Sequence, residues 1–198
     1  MSPLTHCLLS WLVAARTTRN SRDCRLATLA GLLPDADGAG LLVDIATGLF
    51  AAKPTHFYGL YHHYWLHGLL GAGIISLGLA AFARDKLRVA AVALALFHLH
   101  LICDFIGSRG PAPEDLWPIF YFGPFDKDPM WIWKGQWRLD GWQNKTVFVA
   151  AFAAVWWLAV REGHSVVGVF NRRADRAVVA VLRDWSARLA RRFKPPNL

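Results

Sequence analysis

At 198 residues, with 55% hydrophobic side chains, ten tryptophans and a net charge of +8, the chain suits one domain rather than several. Its basic residues gather in residues 16–25, in 84–88 and from 161 onward, each stretch beside an apolar segment, which is the positive-inside pattern of a membrane protein and argues against a nucleic-acid partner. Cys7, Cys24 and Cys103 are odd in number and lack ligand spacing, so neither a disulfide framework nor a thiolate zinc site is indicated.

The first two apolar runs, residues 4–15 and 26–33, fall short of the roughly 20 residues that a spanning helix needs, and read as buried or re-entrant helices. No basic region precedes the first run and no small-residue cleavage site follows it, so residues 1–15 are read as part of the fold. Pro34 bars helical geometry at Leu33, and Gly38 and Gly40 follow, which predicts a loop over residues 34–40 and a helix resuming over 41–52. Residues 64–83 and 87–106 are each long and apolar enough to cross a bilayer, and the short Arg84-Asp85-Lys86 connector predicts an antiparallel hairpin. Between residues 107 and 145, Pro111, Pro113, Pro118, Pro124 and Pro129 exclude a long helix. The tryptophans there suit either a cover lying on the headgroups or an aromatic packing loop. Residues 146–160 form a third expected span, marginal unless Trp142 extends it. From Arg161 the chain reads as a basic amphipathic tail for an anionic cytoplasmic leaflet. The expected architecture is therefore an all-α membrane domain over residues 1–160, with loop 107–145 inserted, and a cytoplasmic tail over 161–198. The sequence leaves the oligomeric state open.

Putting residues 84–88 inside makes 87–106 run outward, carrying His100 and Asp104 toward the outer end. Residues 64–83 then start at that same end, with His62, His63 and His67. The arginines of residues 16–25 place the first connector inside too, which sends His6 and Asp35 outward. Ionisable side chains inside a membrane are costly and usually line a functional cavity, so this convergence marks a site.

His100 and Asp104, four apart, share one helix face and can hold a metal together or hydrogen-bond each other. Asp35 and Asp37 could face one cation from an extended backbone, although aspartates after proline are also ordinary turn residues. Helical spacing pairs His63 with His67, whereas His62 joins them only if it precedes the helix; both stay candidates. His98 lies nearly opposite His100 and reads as a packing group or a support behind a ligand rather than a ligand itself. A mixed imidazole and carboxylate set suits one or two divalent ions, zinc above all, and metal-assisted hydrolysis needing no serine, cysteine or lysine nucleophile. The expected ligands are His6, Asp35, Asp37, His62, His63, His67, His100 and Asp104, with Asp35, Asp37, His67 and Asp104 closest to the chemistry.

Thr5-His6, Leu32-Leu33-Pro34-Asp35-Ala36-Asp37, His62 with His67, and His100-Leu-Ile-Cys-Asp104, followed by Trp117-Pro118-Ile119-Phe120, occur in an order that resembles the YdjM-like bacterial inner-membrane, metal-dependent hydrolases. The order is also similar to that of the zinc-dependent phospholipase C superfamily. These resemblances imply an all-helical fold and cleavage of a phosphoester or phospholipid by metal-activated water, on the outer side of a multi-pass protein of the inner membrane. They favour His62 over His63. The chain departs from the pattern between the two histidines of its third motif, where His63 and Tyr64 stand in place of arginine and glycine after His62, and Leu66 in place of threonine before His67. No later His-x-x-x-Glu pair is present to imply a third metal.

Two other readings use the same residues: a haem-binding electron carrier ligated by His67 and His100, and a non-catalytic protein whose polar cluster serves helix packing. Orientation is checked by Pro113→Cys in a chain otherwise freed of cysteine. A membrane-impermeant maleimide is expected to label it from the outer face of spheroplasts, and labelling from the cytoplasmic face alone would reverse the topology.

Overall fold

The computed structural model describes residues 1–51 and 53–192; Ala52 and the expected end of the tail, residues 193–198, lie outside the described residues. Among the described residues eight α-helices follow one another: α1 (Pro3–Thr17), α2 (Ser21–Ala30), α3 (Gly40–Phe50), α4 (Phe57–Tyr61), α5 (Leu69–Ala81), α6 (Lys86–Gly107), α7 (Trp142–Glu162) and α8 (Arg172–Arg192). Short 3₁₀ helices occupy Leu33–Ala39 and Val166–Val169. Among the described residues there is no β-strand, only isolated bridges between Arg109 and Arg138 and between Ile119 and Trp131. The all-α expectation is met.

Helix α6 is the axis of the bundle. Its buried Val89, Ala93, Leu96, Phe97 and Leu101 pack with Ala27 and Ala30 of α2 and with Ala72, Ile75 and Leu79 of α5. The alanines let the three backbones approach closely, as in membrane helix packing. A second apolar cluster joins Leu8 and Trp11 of α1 to Ala151, Val155 and Leu158 of α7.

Polar ties fix the two ends. At one end the buried Asp23 carboxylate accepts from the Arg84 and Asp85 amides at 2.8 and 3.0 Å, joining α2 to the α5–α6 connector. Arg88 Nη1 donates to the Thr17 carbonyl at 3.1 Å, and Arg16 pairs with Glu162 at 2.7 Å. At the other end Asn144 Nδ2 donates to the Gly107 carbonyl at 2.8 Å, tying α7 to α6. Helices α1, α2, α5, α6 and α7 thus run between a basic end and an end rich in histidine and aspartate.

Among the described residues two helices, α6 and α7, are long and apolar enough to cross a membrane, and α2 with Leu33–Phe50, bent by 49°, is a third if the bent pair is taken as one span. Residues 87–106 form the expected long helix, and the 146–160 segment reaches 21 residues because its helix does begin at Trp142. The expected span over 64–83 is corrected to α5, only 13 residues long. The reason is local. His63 has φ 67°, a left-handed conformation that interrupts a helix, and Gly68 is extended. The Leu69 amide is then bonded by the Tyr121 carbonyl at 2.7 Å rather than by a preceding turn. The expected loop at 34–40 is corrected to a 3₁₀ helix, with Pro34 in its first turn, where a missing amide costs nothing.

Helix α3 buries none of its residues, and Leu42, Leu49 and Phe50 stand out from it. It is anchored through Asp44, whose carboxylate accepts from Thr55 Oγ1 and from the Phe57 and Tyr58 amides, each at 2.7 Å. The insertion between α6 and α7 is folded and packs back on the bundle. Gln136, buried, accepts from the Trp117 amide at 2.9 Å and donates to its carbonyl at 2.8 Å, which sets Trp117 against the polar end. Helix α8 shows the expected amphipathic pattern, with Val181, Trp185 and Leu189 exposed and Trp156 Nε1 of α7 donating to Ser186 at 3.1 Å.

Candidate metal centre

Four elements deliver the site. Helix α1 brings His6, the Leu33–Ala39 helix brings Asp35 and Asp37, the turn before α5 brings His62, His63 and His67, and α6 brings His100 and Asp104. His6, His67, His100 and Asp104 are almost entirely buried. His6, Asp35, His100 and Asp104 each offer one ligand atom, all within 4.8 Å of one another, and so do His62, His63 and His67. His67 also belongs geometrically with the first group, because its Nε2 lies 3.1 Å from Nε2 of His100.

That contact is informative once the far side of each ring is considered. Nδ1 of His100 faces the Gly31 carbonyl at 3.0 Å, and Nδ1 of His67 faces an Asp37 oxygen at 2.9 Å. A carbonyl or a carboxylate can only accept, so both Nδ1 atoms carry a proton, and in the neutral, metal-ligating form of each ring Nε2 presents a lone pair. Those lone pairs meet each other and two carboxylate oxygens. His100 Nε2 lies 2.9 Å from Asp104 Oδ2 and 3.6 Å from Asp35 Oδ1; His67 Nε2 lies 3.6 and 3.8 Å from the same two atoms. Four acceptors converging in a buried space repel one another unless a proton or a cation lies among them.

The spacing suits a cation. Ligand bonds of 2.0–2.1 Å in a tetrahedron place the donors about 3.3 Å apart, and the five separations above bracket that value. Asp104 Oδ2, although close to His100, makes no hydrogen bond, and Asp35 Oδ2, His6 Nδ1 and His63 Nδ1 are also buried without partners. Among the described residues, no lysine or arginine reaches Asp35, Asp37 or Asp104; the Met1 amine bonds Asp104 Oδ1. The donor set, two nitrogens and two oxygens, is that of a borderline divalent ion.

The other candidates take supporting positions. Asp37 spends both oxygens behind the site, on His62 Nδ1 at 2.8 Å and on His67 Nδ1 at 2.9 Å, with the Leu66 amide at 3.2 Å. It therefore fixes ring orientation rather than facing the four converging atoms. His6 Nε2 lies 3.0 Å from Asp104 Oδ1, and its ring stacks on His100 at 3.8 Å. Helical spacing between His63 and His67 does not apply, since neither is in a helix. Instead His62 is tied to Asp37, while His63 turns Nε2 to within 3.8 Å of Asp104 Oδ2. Its left-handed backbone costs of order 1–3 kcal/mol, strain of the kind that recurs at functional sites. His98, bonded to Tyr121 at 2.9 Å, is a packing group as expected.

Sequence reasoning passed over several contributors. Ser108 donates to Asp104 Oδ1 at 2.9 Å, one helical turn on, and its i+4 spacing was a usable signal. Tyr58 stacks on His62 at 4.6 Å, and Trp117 packs edge-on against His62 and His63 at 5.5 and 5.3 Å; no local pattern links these residues. The Gly31 carbonyl, which accepts from His100 Nδ1, is a main-chain partner that no side-chain motif reveals.

The haem alternative fails on this geometry. Nε2 atoms in contact, with two carboxylates beside them, leave no plane between the rings for a macrocycle.

The fold and site thus define an all-helical membrane protein with a buried histidine and aspartate centre. The model of the YdjM inner membrane protein family matches residues 1–173, from the first helix to the start of α8, and the chain belongs to that family. No curated protein and no solved structure matches it.

Gly31 allows α2 to reach His100. A Cβ there would lie 1.7 Å from Ser10 Oγ and 2.8 Å from Ser10 Cβ, so Gly31→Ala must part α1 from α2. The expected cost is roughly 1–3 kcal/mol in thermal unfolding, partly recovered by adding Ser10→Gly. An unchanged midpoint for the single variant would show that the approach is looser than described.

Proposed function

We propose that the chain is a multi-pass, divalent-metal-dependent hydrolase that cleaves a phosphoester, with a membrane phospholipid as the substrate class and its site toward the outer side of the inner membrane. The observation that carries the reading is the meeting of His67 and His100 through Nε2 atoms whose Nδ1 atoms are already engaged, with Asp35 and Asp104 beside them. The resemblance of the motif order to zinc-dependent phospholipases C supplies the reaction class.

In this reading His67, His100, Asp35 and Asp104 hold the ion. The chemistry that a zinc-like cation supplies there is Lewis acidity toward a phosphoryl oxygen and toward water. Asp37 and the Gly31 carbonyl hold the two imidazoles in the ligating tautomer, and Ser108 steadies Asp104. His6 and His63, each with an unpartnered Nδ1, are placed to take a second ion or to carry the proton released when water attacks. Tyr58 and Trp117 shield the site, and an apolar groove of about 670 Å³ along Leu69, Ile74, Leu77 and Phe122 starts two residues beyond His67. An acyl chain lying there would bring its headgroup toward the histidines.

The depth supports a lipid substrate. Fifteen residues of α6 separate Asp85 from His100, about 22 Å of rise in a hydrocarbon layer of about 30 Å. With the basic residues inside, the centre lies within the outer leaflet and its headgroup boundary, where a phosphoester is presented by the bilayer itself.

Metal analysis of the purified protein tests the reading. At least one zinc-like ion per chain is expected, together with metal-stimulated phosphodiesterase activity on lipid substrates. Asp104→Asn is expected to lower metal content at least tenfold while the helical signal is kept. A preparation exposed to zinc that retains no divalent ion, or Asp104→Asn with unchanged content, would leave the cluster a helix-packing device.

A further inference from the structure

The opposite, basic end of the bundle holds a second concavity, of about 400 Å³, where the α1–α2 connector meets the Val166–Val169 turn and the start of α8. Its rim carries four arginines from three elements: Arg19 in the connector, Arg25 on α2, and Arg172 and Arg176 on α8. Its buried apolar lining comes from Trp11 and Val169. Its lining on α1 runs from Trp11 to Ala15, five to nine residues beyond His6, so this wall of the pocket lies about 8–14 Å along that helix from His6, toward the opposite end of the bundle.

The guanidiniums are poorly neutralised. Among the described residues, Arg25, Arg172 and Arg176 have no carboxylate within 4.0 Å, and Arg19 reaches only Asp85, at 4.0 Å, which Arg88 already holds at 3.1 Å. The single acid in the lining, Asp175, is buried and committed to Ser165, accepting from its amide at 2.8 Å and its hydroxyl at 2.6 Å. Arg172 donates to Ser21 Oγ at 2.5 Å and Arg25 to the Ser21 carbonyl at 3.3 Å, which bends both side chains toward one place. Helix ends add little, since Asn20 caps α2 and Asn171 caps α8. The excess positive charge over a concave, partly apolar surface is therefore a property of the arginines, whose planar forks match phosphate oxygens.

We infer that this pocket binds a phosphate-ester anion, separately from the histidine centre. Its volume admits an ester moiety beside the phosphate, and Trp11 and Val169 give that moiety an apolar wall. The exposed Val181, Trp185 and Leu189 of α8 put the pocket's mouth at a membrane boundary, where an anionic phospholipid headgroup presents this chemistry. A soluble phosphate ester presents it too.

Thermal unfolding of the purified full chain in phosphate-free alkyl maltoside micelles, with added phosphatidylglycerol or inorganic phosphate, tests the inference. Arg25→Gln with Arg176→Gln removes two rim charges without breaking a bond between helices, and Arg173→Gln with Arg191→Gln removes the same charge outside the pocket. At roughly a hundredfold excess over Kd, the wild type and the outside variant are expected to gain roughly 5 °C or more, and the rim variant to lose most of that gain. A gain from phosphatidylglycerol alone identifies a lipid headgroup; an equal gain from inorganic phosphate identifies a soluble ligand of the same pocket. No gain from either probe, or equal loss in both variants, would overturn the inference.

Discussion

Three carboxylates and five imidazoles packed into one end of an apolar helical bundle set the terms for the rest of this structure. Each buried ion costs several kcal/mol unless it is paired and hydrogen-bonded. Most of the cluster meets that condition internally: Asp37 takes two histidines and an amide, and Asp104 takes His6, Ser108 and the Met1 amine. The residue of the problem is concentrated at one point, where two imidazole lone pairs and two carboxylate oxygens face one another. With both rings neutral, hydrogen bonding within the protein does not resolve that point, because all four atoms are then acceptors; a proton on one Nε2 would relieve part of it. A cation resolves it, and this is why a binding role is favoured over helix packing alone.

The remainder of the fold can be understood as the means of delivering those groups to one place. Helix α6 contributes His100 and Asp104 from one face and fixes the distance to the basic end. The small residues Ala27, Ala30 and Gly31 let α2 lie close enough for a main-chain carbonyl to orient His100. The segment before α5 sacrifices helical hydrogen bonds and adopts a left-handed residue at His63, which brings three histidines inward over a short stretch. The Trp-rich insertion, held by Gln136 and Asn144, then shuts the polar end off with Trp117. Two chemically distinct ends result, one acidic and imidazole-rich, the other basic, with the proposed reaction at the first and the inferred anion pocket at the second.

Much of this was legible in the sequence, because hydropathy, charge runs and i, i+4 spacing are local signals. They gave the all-α class, the long helix carrying His100 and Asp104, and the gathering of the polar residues at one end. What escaped was decided by tertiary contacts. The start of α5 depends on the Tyr121 carbonyl, more than fifty residues away, and on the backbone angle at His63, neither of which periodicity can report. The division of labour between Asp35 and Asp37 was hidden for a similar reason: only the positions of His62 and His67 show that Asp37 faces backward. The open choice between His62 and His63 resolves into two different contacts, one with Asp37 and one near Asp104. Membership of the YdjM inner membrane protein family agrees with the membrane reading, while metal and reaction rest on the site's geometry and the proposal drawn from it.

X-ray absorption at the zinc edge of the purified protein tests the central claim most directly. The expected spectrum shows a first shell of nitrogen and oxygen alone at about 2.0–2.1 Å, with the outer scattering of at least two imidazoles. Absence of a metal edge after exposure to zinc, or a sulfur shell near about 2.3 Å, would contradict it by showing that the four converging acceptors do not hold the ion.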